Sequence, residues 1–184
     1  RKKNMRDISH KVDTFRTAKA TAQLIMSPAS VAAVRDNSGP KKDIPATARA
    51  TAFLAIKNTH TAIPHCHPIP VEAATVDFNY EESSILITVT AKAVYKTGIE
   101  MEVLHGVSIA ALVVYDMLKP LDDTIEIRNI RLEEKTGGKS DFREEFSRQL
   151  TAAVVVCSDS VASGKKQDTG GKAIRERLES MGID

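Results

Sequence analysis

Three side chains able to bind metals or move protons stand side by side in Pro64-His65-Cys66-His67-Pro68. In an extended segment His65 and His67 would share a face and could offer both rings to one ion, although a lone His-x-His lacks the further ligands a zinc site needs. The prolines at 64, 68 and 70 point instead to an irregular segment with fixed torsions, whose free N–H groups can meet an anion or a ring. A plain turn around a buried cysteine is the third reading, and the residues alone leave all three open. Asp116 and Lys119 are three apart near the end of an apolar helical pattern and so share a face. An aspartate there opposes the negative end of the helix dipole unless a cation compensates. The pair reads either as a local ion pair or as an acid/base pair beside a ligand. Glu100 and Glu102 open the same helix, where carboxylates are favourable, and Lys41 and Lys42 follow a Gly-Pro turn. Residues 136–140, TGGKS, look like the end of a phosphate-binding loop, but Glu133 stands where that loop requires glycine. They leave a glycine turn between Lys135 and Lys139. Lysines, a histidine and an aspartate at element ends suit proton transfer on a phosphorylated small substrate.

The elements that must position these groups follow from periodicity and turn chemistry. Residues 1–26 show no decisive pattern. Ser27-Pro28 is a cap followed by proline at the first helical position, which predicts a short helix to about Arg35. The alanine-rich run from Pro45 to Pro64 is a second helix. Two runs, 71–80 and 84–95, read as strands joined by a turn at 81–84. The longest helix begins near Gly98 and closes at Pro120, with Ile99, Val103, Val107, Ala110, Ala111, Val114 and Leu118 at helical spacing. A strand follows over 123–134. This order predicts an α+β fold, a ferredoxin-like antiparallel sheet with helices packed on one face. The character changes after Gly138. A first domain over 1–140 and a charged linker over 141–151 are expected. Residues 152–184 are expected as a buried strand, a polar loop and an amphipathic helix, the incomplete opening of an α/β domain.

Composition narrows the function classes. Of the 184 residues 42% are hydrophobic and 27% charged, as in a globular protein, and Lys plus Arg (26) exceed Asp plus Glu (24) only slightly. With aromatics at 4% and no tryptophan, a base-stacking platform for nucleic acid is not expected. Cys66 and Cys157 suggest no disulfide framework, and a reducing cytoplasm is the simpler setting. No membrane span or secretory signal is expected. The chain begins with Arg1 rather than methionine, which reads as a piece of something longer.

Three motifs in register, HCHPIP, KTGIEMEVLHGVSIAALVVYDMLKP and IRLEEKTGGKS, resemble the molybdenum cofactor biosynthesis protein C family over roughly residues 8–140. The resemblance implies conversion of a cyclic 7,8-dihydro-GTP intermediate to cyclic pyranopterin monophosphate with release of pyrophosphate. It also implies a homo-oligomer, a hexamer built as a trimer of dimers, with active sites between subunits. No cofactor or metal is implied, and other enzymes of the pathway are possible partners. By position, the family's Leu-Cys-His-Pro falls on His65, Cys66, His67 and Pro68, with His65 replacing the usual leucine. The resemblance implies catalytic roles for Asp116, Lys119 and Lys41, and substrate binding by His65, Cys66, His67, Met101, Glu102 and Lys135. Cationic groups at these places would neutralise a triphosphate and its leaving pyrophosphate. Residues 154–184 resemble the start of a molybdopterin-binding and adenylyltransferase domain, so a fusion of two pathway enzymes is expected. The alternatives are a zinc-dependent hydrolase built on His65 and His67, or a non-catalytic pathway scaffold.

Overall fold

Ala18, Ala20, Ala22 and Leu24 alternate along strand β1 (Thr14–Ile25) and are almost fully buried, so this strand lies in the middle of the structure. The computed structural model describes residues 4–138, 150–180 and 182–183. The chain divides into two compact units, one ending at Gly138 and the other beginning at Lys139.

In the first unit β1 is followed by helices α1 (Pro28–Arg35), α2 (Ile44–Lys57) and the single turn α3 (Thr59–Ala62), then β2 (Ala73–Tyr80), β3 (Ser84–Tyr95), helix α4 (Glu100–Leu118) and β4 (Glu126–Thr136). The strands form one antiparallel sheet in the order β2-β3-β1-β4. With β1 added ahead of the helix-strand-strand-helix-strand order expected above, this is the ferredoxin-like arrangement.

The core lies between the sheet and α4. Ile85, Ile87, Val89, Ala91 and Ala93 of β3 stand on the buried face and pair with β1 in register, Val89 opposite Ala20. All seven apolar residues of the α4 pattern are buried, from Ile99 to Leu118. Length and mean hydropathy alone would let α4 pass as a membrane span. Its packing against β1, β3, β4 and α2 is that of a core helix. The opposite face of the sheet is polar, and there Thr21 Oγ1 donates to Glu133 Oε1 at 2.6 Å. The edge strand β4 shifts register twice against β1, and Asn129 takes a left-handed φ of 54° within the second shift, between Arg131 and Arg128.

In the second unit the strand expected over residues 152–157 does not form. These residues carry no ladder, and Val155 is 82% exposed. A β-branched run supplies side chains for a sheet, but a strand exists only through partner N–H and C=O groups, and none is supplied among the described residues. The expected helix is present as α6 (Thr169–Glu179), where Asp168 caps the first turn by accepting from the Gly171 N–H at 2.7 Å. A single turn, α5 (Asp159–Ala162), interrupts the expected polar loop. Residues 141–149 of the expected linker, together with Lys139 and Ser140, lie outside the described residues.

Candidate active site

The His65–His67 segment forms one wall of a cavity of about 270 Å³, and the first turn of α4, with Glu100, Met101 and Glu102, forms the facing wall. The prolines act as the sequence suggests. The chain leaves α3, turns tightly with Cys66 N–H donating to the Ile63 carbonyl at 3.0 Å, and then runs irregularly to β2. His67 Nε2 donates to the Arg6 carbonyl at 2.8 Å. A carbonyl only accepts, so this nitrogen carries the proton. Gly98 lets the Glu100 side chain fold back, since a Cβ there would lie 2.0 Å from Glu100 Oε2. Lys135 reaches the same wall from the end of β4, with Nζ donating to Glu100 Oε1 at 3.0 Å.

Glu102 is 3% exposed. Burial, assisted by the neighbouring Glu100 charge, pushes its carboxyl up to about 7, against a partly opposing backbone hydrogen bond. Burial also raises the Cys66 thiol, with Glu102 adding to it. A carboxyl that titrates near neutrality inside a cavity can give or take a proton. It also has a stability consequence. The folded chain keeps this proton up to about pH 7, whereas the unfolded chain releases it near the ordinary 4.5. Between those values the folded state binds more protons, so its stability falls as pH rises, and the deficit persists above them. Glu102→Gln removes this dependence. Urea unfolding at fixed protein concentration should find the variant nearly matched to wild type at about pH 5, and more stable by on the order of 1–3 kcal/mol at about pH 8.5. Parallel stability profiles would contradict it.

A second cluster forms at the other end of α4. Lys119 Nζ pairs with Asp116 Oδ1 at 2.7 Å, while Lys41 Nζ donates to Asp116 Oδ2 and to the Asp116 carbonyl, each at 3.2 Å. The two ammonium groups offset the unfavourable helix end. The Lys119 hydrogen bond, then that of Lys41, holds the Asp116 carboxyl below its ordinary value, and Asp116 in turn raises Lys119. Lys41 arrives on a loop closed by a reciprocal clasp. The Asp43 N–H donates to Asn37 Oδ1 at 2.8 Å, and Asn37 Nδ2 donates to Asp43 Oδ1 at 3.1 Å. Both clasp residues have left-handed backbone, which asparagine and aspartate tolerate better than other side chains.

The candidate residues thus fall into two groups. His65, Cys66, His67, Met101 and Glu102 share the cavity, with Lys135 joined to it through Glu100; Lys41, Asp116 and Lys119 share the second cluster. Glu100 and Asp116 bracket most of α4, which at helical rise puts the groups about 24 Å apart in one protomer. Sequence reasoning missed Thr97 and Ile69 in the cavity wall and the Asn37–Asp43 clasp. An asparagine-glycine-rich turn just before Lys41 was the available signal for the clasp. Among the described residues no three His, Cys, Asp or Glu side chains converge as metal ligands, so the zinc alternative keeps only its two histidines.

Known proteins resemble the chain along most of its length. A bifunctional molybdenum cofactor biosynthesis protein of Chlorobaculum tepidum is 40% identical over 178 residues, covering 97% of this chain and 56% of that protein. The chain thus spans little more than half of that relative. The cyclic pyranopterin monophosphate synthase of a Nostoc species is 44% identical over 138 residues, 74% of this chain and 82% of the relative. That of Clostridium perfringens is 43% identical, covering 74% and 87%. The family model described as the MoaC family matches residues 5–138, the stretch that holds every described candidate residue, and the chain belongs to that family.

Proposed function

We propose that the first unit converts a cyclic 7,8-dihydro-GTP intermediate to cyclic pyranopterin monophosphate with release of pyrophosphate, in molybdenum cofactor biosynthesis. The observation that carries this reading is the convergence of Lys41 on Asp116 and Lys119 across 75 residues of sequence. Forming a cyclic monophosphate from a triphosphate requires a substrate hydroxyl to bond to the α-phosphorus. The P–O bond to the outer phosphates breaks, and pyrophosphate leaves with that electron pair. Lys41, Lys119 and Lys135 supply positive charge to the phosphates and to the leaving group. The proton that the substrate hydroxyl gives up passes along the Lys119–Asp116 pair, relayed by Lys119 and accepted by Asp116, while His67 holds the triphosphate, and His65, Cys66, Met101 and Glu102 enclose the pterin precursor.

One protomer holds the two groups of residues apart, so the working site joins the cavity of one subunit to the lysine cluster of another. The assembly is then a homo-oligomer, a hexamer made as a trimer of dimers, acting in the cytoplasm on a nucleotide-derived substrate. Residues 1–140 form the synthase domain and 141–151 the linker. Residues 152–184 are the opening part of a molybdopterin-binding domain of a fused pathway enzyme, with no catalytic role of their own. Incubating the protein with the cyclic dihydro-GTP intermediate should yield pyrophosphate and cyclic pyranopterin monophosphate in equal amounts. Unchanged substrate, under conditions where a synthase control turns over, would refute the assignment.

A further inference from the structure

Asp122 lies beyond α4, three residues after Lys119, and is 9% exposed. Its carboxylate accepts four hydrogen bonds. Oδ2 takes the Ser27 N–H at 2.9 Å and the Ser30 hydroxyl at 2.8 Å, and Oδ1 takes the Thr124 N–H at 2.9 Å and the Thr124 hydroxyl at 2.6 Å. The Thr124 hydroxyl and then the Ser27 N–H hold this carboxyl well below the usual range, so it stays anionic through any assay. No lysine or arginine pairs with it among the described residues. The group therefore acts as a mechanical pin rather than an ion pair.

What it pins is informative. On one side is the turn that ends α4, where the Leu121 and Asp122 N–H groups both donate to the Leu118 carbonyl. Lys119 is the C-cap residue within that turn. On the other side is the start of α1, where Ser27 is the N-cap and its hydroxyl accepts from the Ser30 N–H at 3.2 Å. Helix α1 is a rigid rod about 12 Å long. Its far end is tied to the lysine-bearing loop, with the Ser38 N–H donating to the Ala33 carbonyl at 3.0 Å and the Asn37–Asp43 clasp closing the loop behind Lys41. Asp122 thus anchors both segments that carry the lysines meeting on Asp116.

We propose that Asp122 is a positioning residue that holds Lys119 and Lys41 in register around Asp116. It touches neither lysine and acts through the two backbone segments. The inference rests on the reading that the Asp116 cluster serves the reaction. A displacement of about 1 Å at a reacting group costs up to roughly 100-fold in rate. Loosening the pin should therefore act on kcat more than on KM.

The test is steady-state kinetics of Asp122→Ala and Ser30→Ala in the full chain, well below the unfolding temperature, beside Asp116→Asn. Asp122→Ala should lower kcat about 10- to 100-fold with KM within about 3-fold of wild type. Ser30→Ala, which deletes one donor to Asp122 and the acceptor of the Ser27 hydroxyl but keeps the capping Ser30 N–H bond, should lower kcat about 3-fold, and carries the test if Asp122→Ala does not fold. A second readout separates positioning from plain stability. Asp116, with a smaller contribution from Tyr115, keeps Lys119 protonated to higher pH. With Lys119 loosened from Asp116 beside the Lys41 ammonium, the alkaline limb of the kcat profile should move to lower pH. A lower unfolding temperature with unchanged kcat and an unmoved limb in the folded variants would overturn the inference while leaving the cluster's role intact, provided Asp116→Asn is inactive. Full activity of Asp116→Asn would remove that role, and this inference with it.

Discussion

Co-expressed Asp116→Asn and His67→Ala chains should recover turnover that neither variant shows alone. The proposed function assigns Asp116 to proton transfer and His67 to the triphosphate, so each homogeneous variant should lose about 100- to 10,000-fold in kcat. The two residues sit in different groups at opposite ends of α4, so a site shared between subunits takes one from each chain. In a two-fold pair the damage in a mixed dimer then falls on one site, and the other site is intact. Random pairing makes about half the dimers mixed, so the mixture should show about a quarter of wild-type activity per chain. Recovery no greater than the sum of the two variants would place both groups in the service of different sites, and the shared-site proposal would fail. Stability should hardly respond to Asp116→Asn. The Asp116 side chain is more than half exposed in its pairs with both lysines, and exposed pairs contribute little.

Gly106→Val should be the most destabilising single change in the frame that separates those two groups. Gly106 of α4 faces Ile56 and Ala52 of α2. A Cβ on Gly106 would lie 2.6 Å from Ile56 Cγ1 and 3.0 Å from Ile56 Cδ1, and Ile56 is itself 2% exposed within the core. Valine adds two further carbons at that point and is stiff at χ1 in a helix. A loss of about 3 kcal/mol is expected from overpacking, read as a lower urea midpoint at fixed protein concentration. Ile56→Ala creates a cavity when made alone, but in the Gly106→Val background it should recover part of the loss, because contacting residues couple. An unchanged midpoint in Gly106→Val would mean the helices separate freely, and α4 would not be the fixed bar described above.

The two predictions differ in how far their basis could be read from the residues. Helix α4 was legible from Ile99 to Leu118 because its apolar stripe repeats at helical spacing over many turns, and all seven positions are buried. The Ser27-Pro28 start of α1 was equally legible, since capping is local chemistry. Strand β1 was not, although it is central to the sheet. Its buried positions are Ala18, Ala20, Ala22 and Leu24, and alanine carries little hydrophobic contrast and favours helix. Only the pairing of both its edges, with β3 and β4, makes it a strand. The run at 152–157 fails in the opposite sense. It has strand-forming residues but no ladder, because β structure is a relation between segments.

The site divides in the same way. Local order in the chain already determined the chemical cast, namely paired histidines between prolines, carboxylates opening a helix, and an aspartate with a lysine three residues on. Their grouping was decided only in three dimensions. Lys41 reaches Asp116 because α1 and its clasped loop return to the end of α4, and Glu102 titrates near neutrality because the cavity wall excludes water from it. Spacing along a chain specifies which side chains share a turn or a face, since those distances are set by backbone geometry. Encounters across tens of residues, and the loss of solvent that shifts a proton's affinity, depend on how the elements pack, and that is settled by the whole core at once.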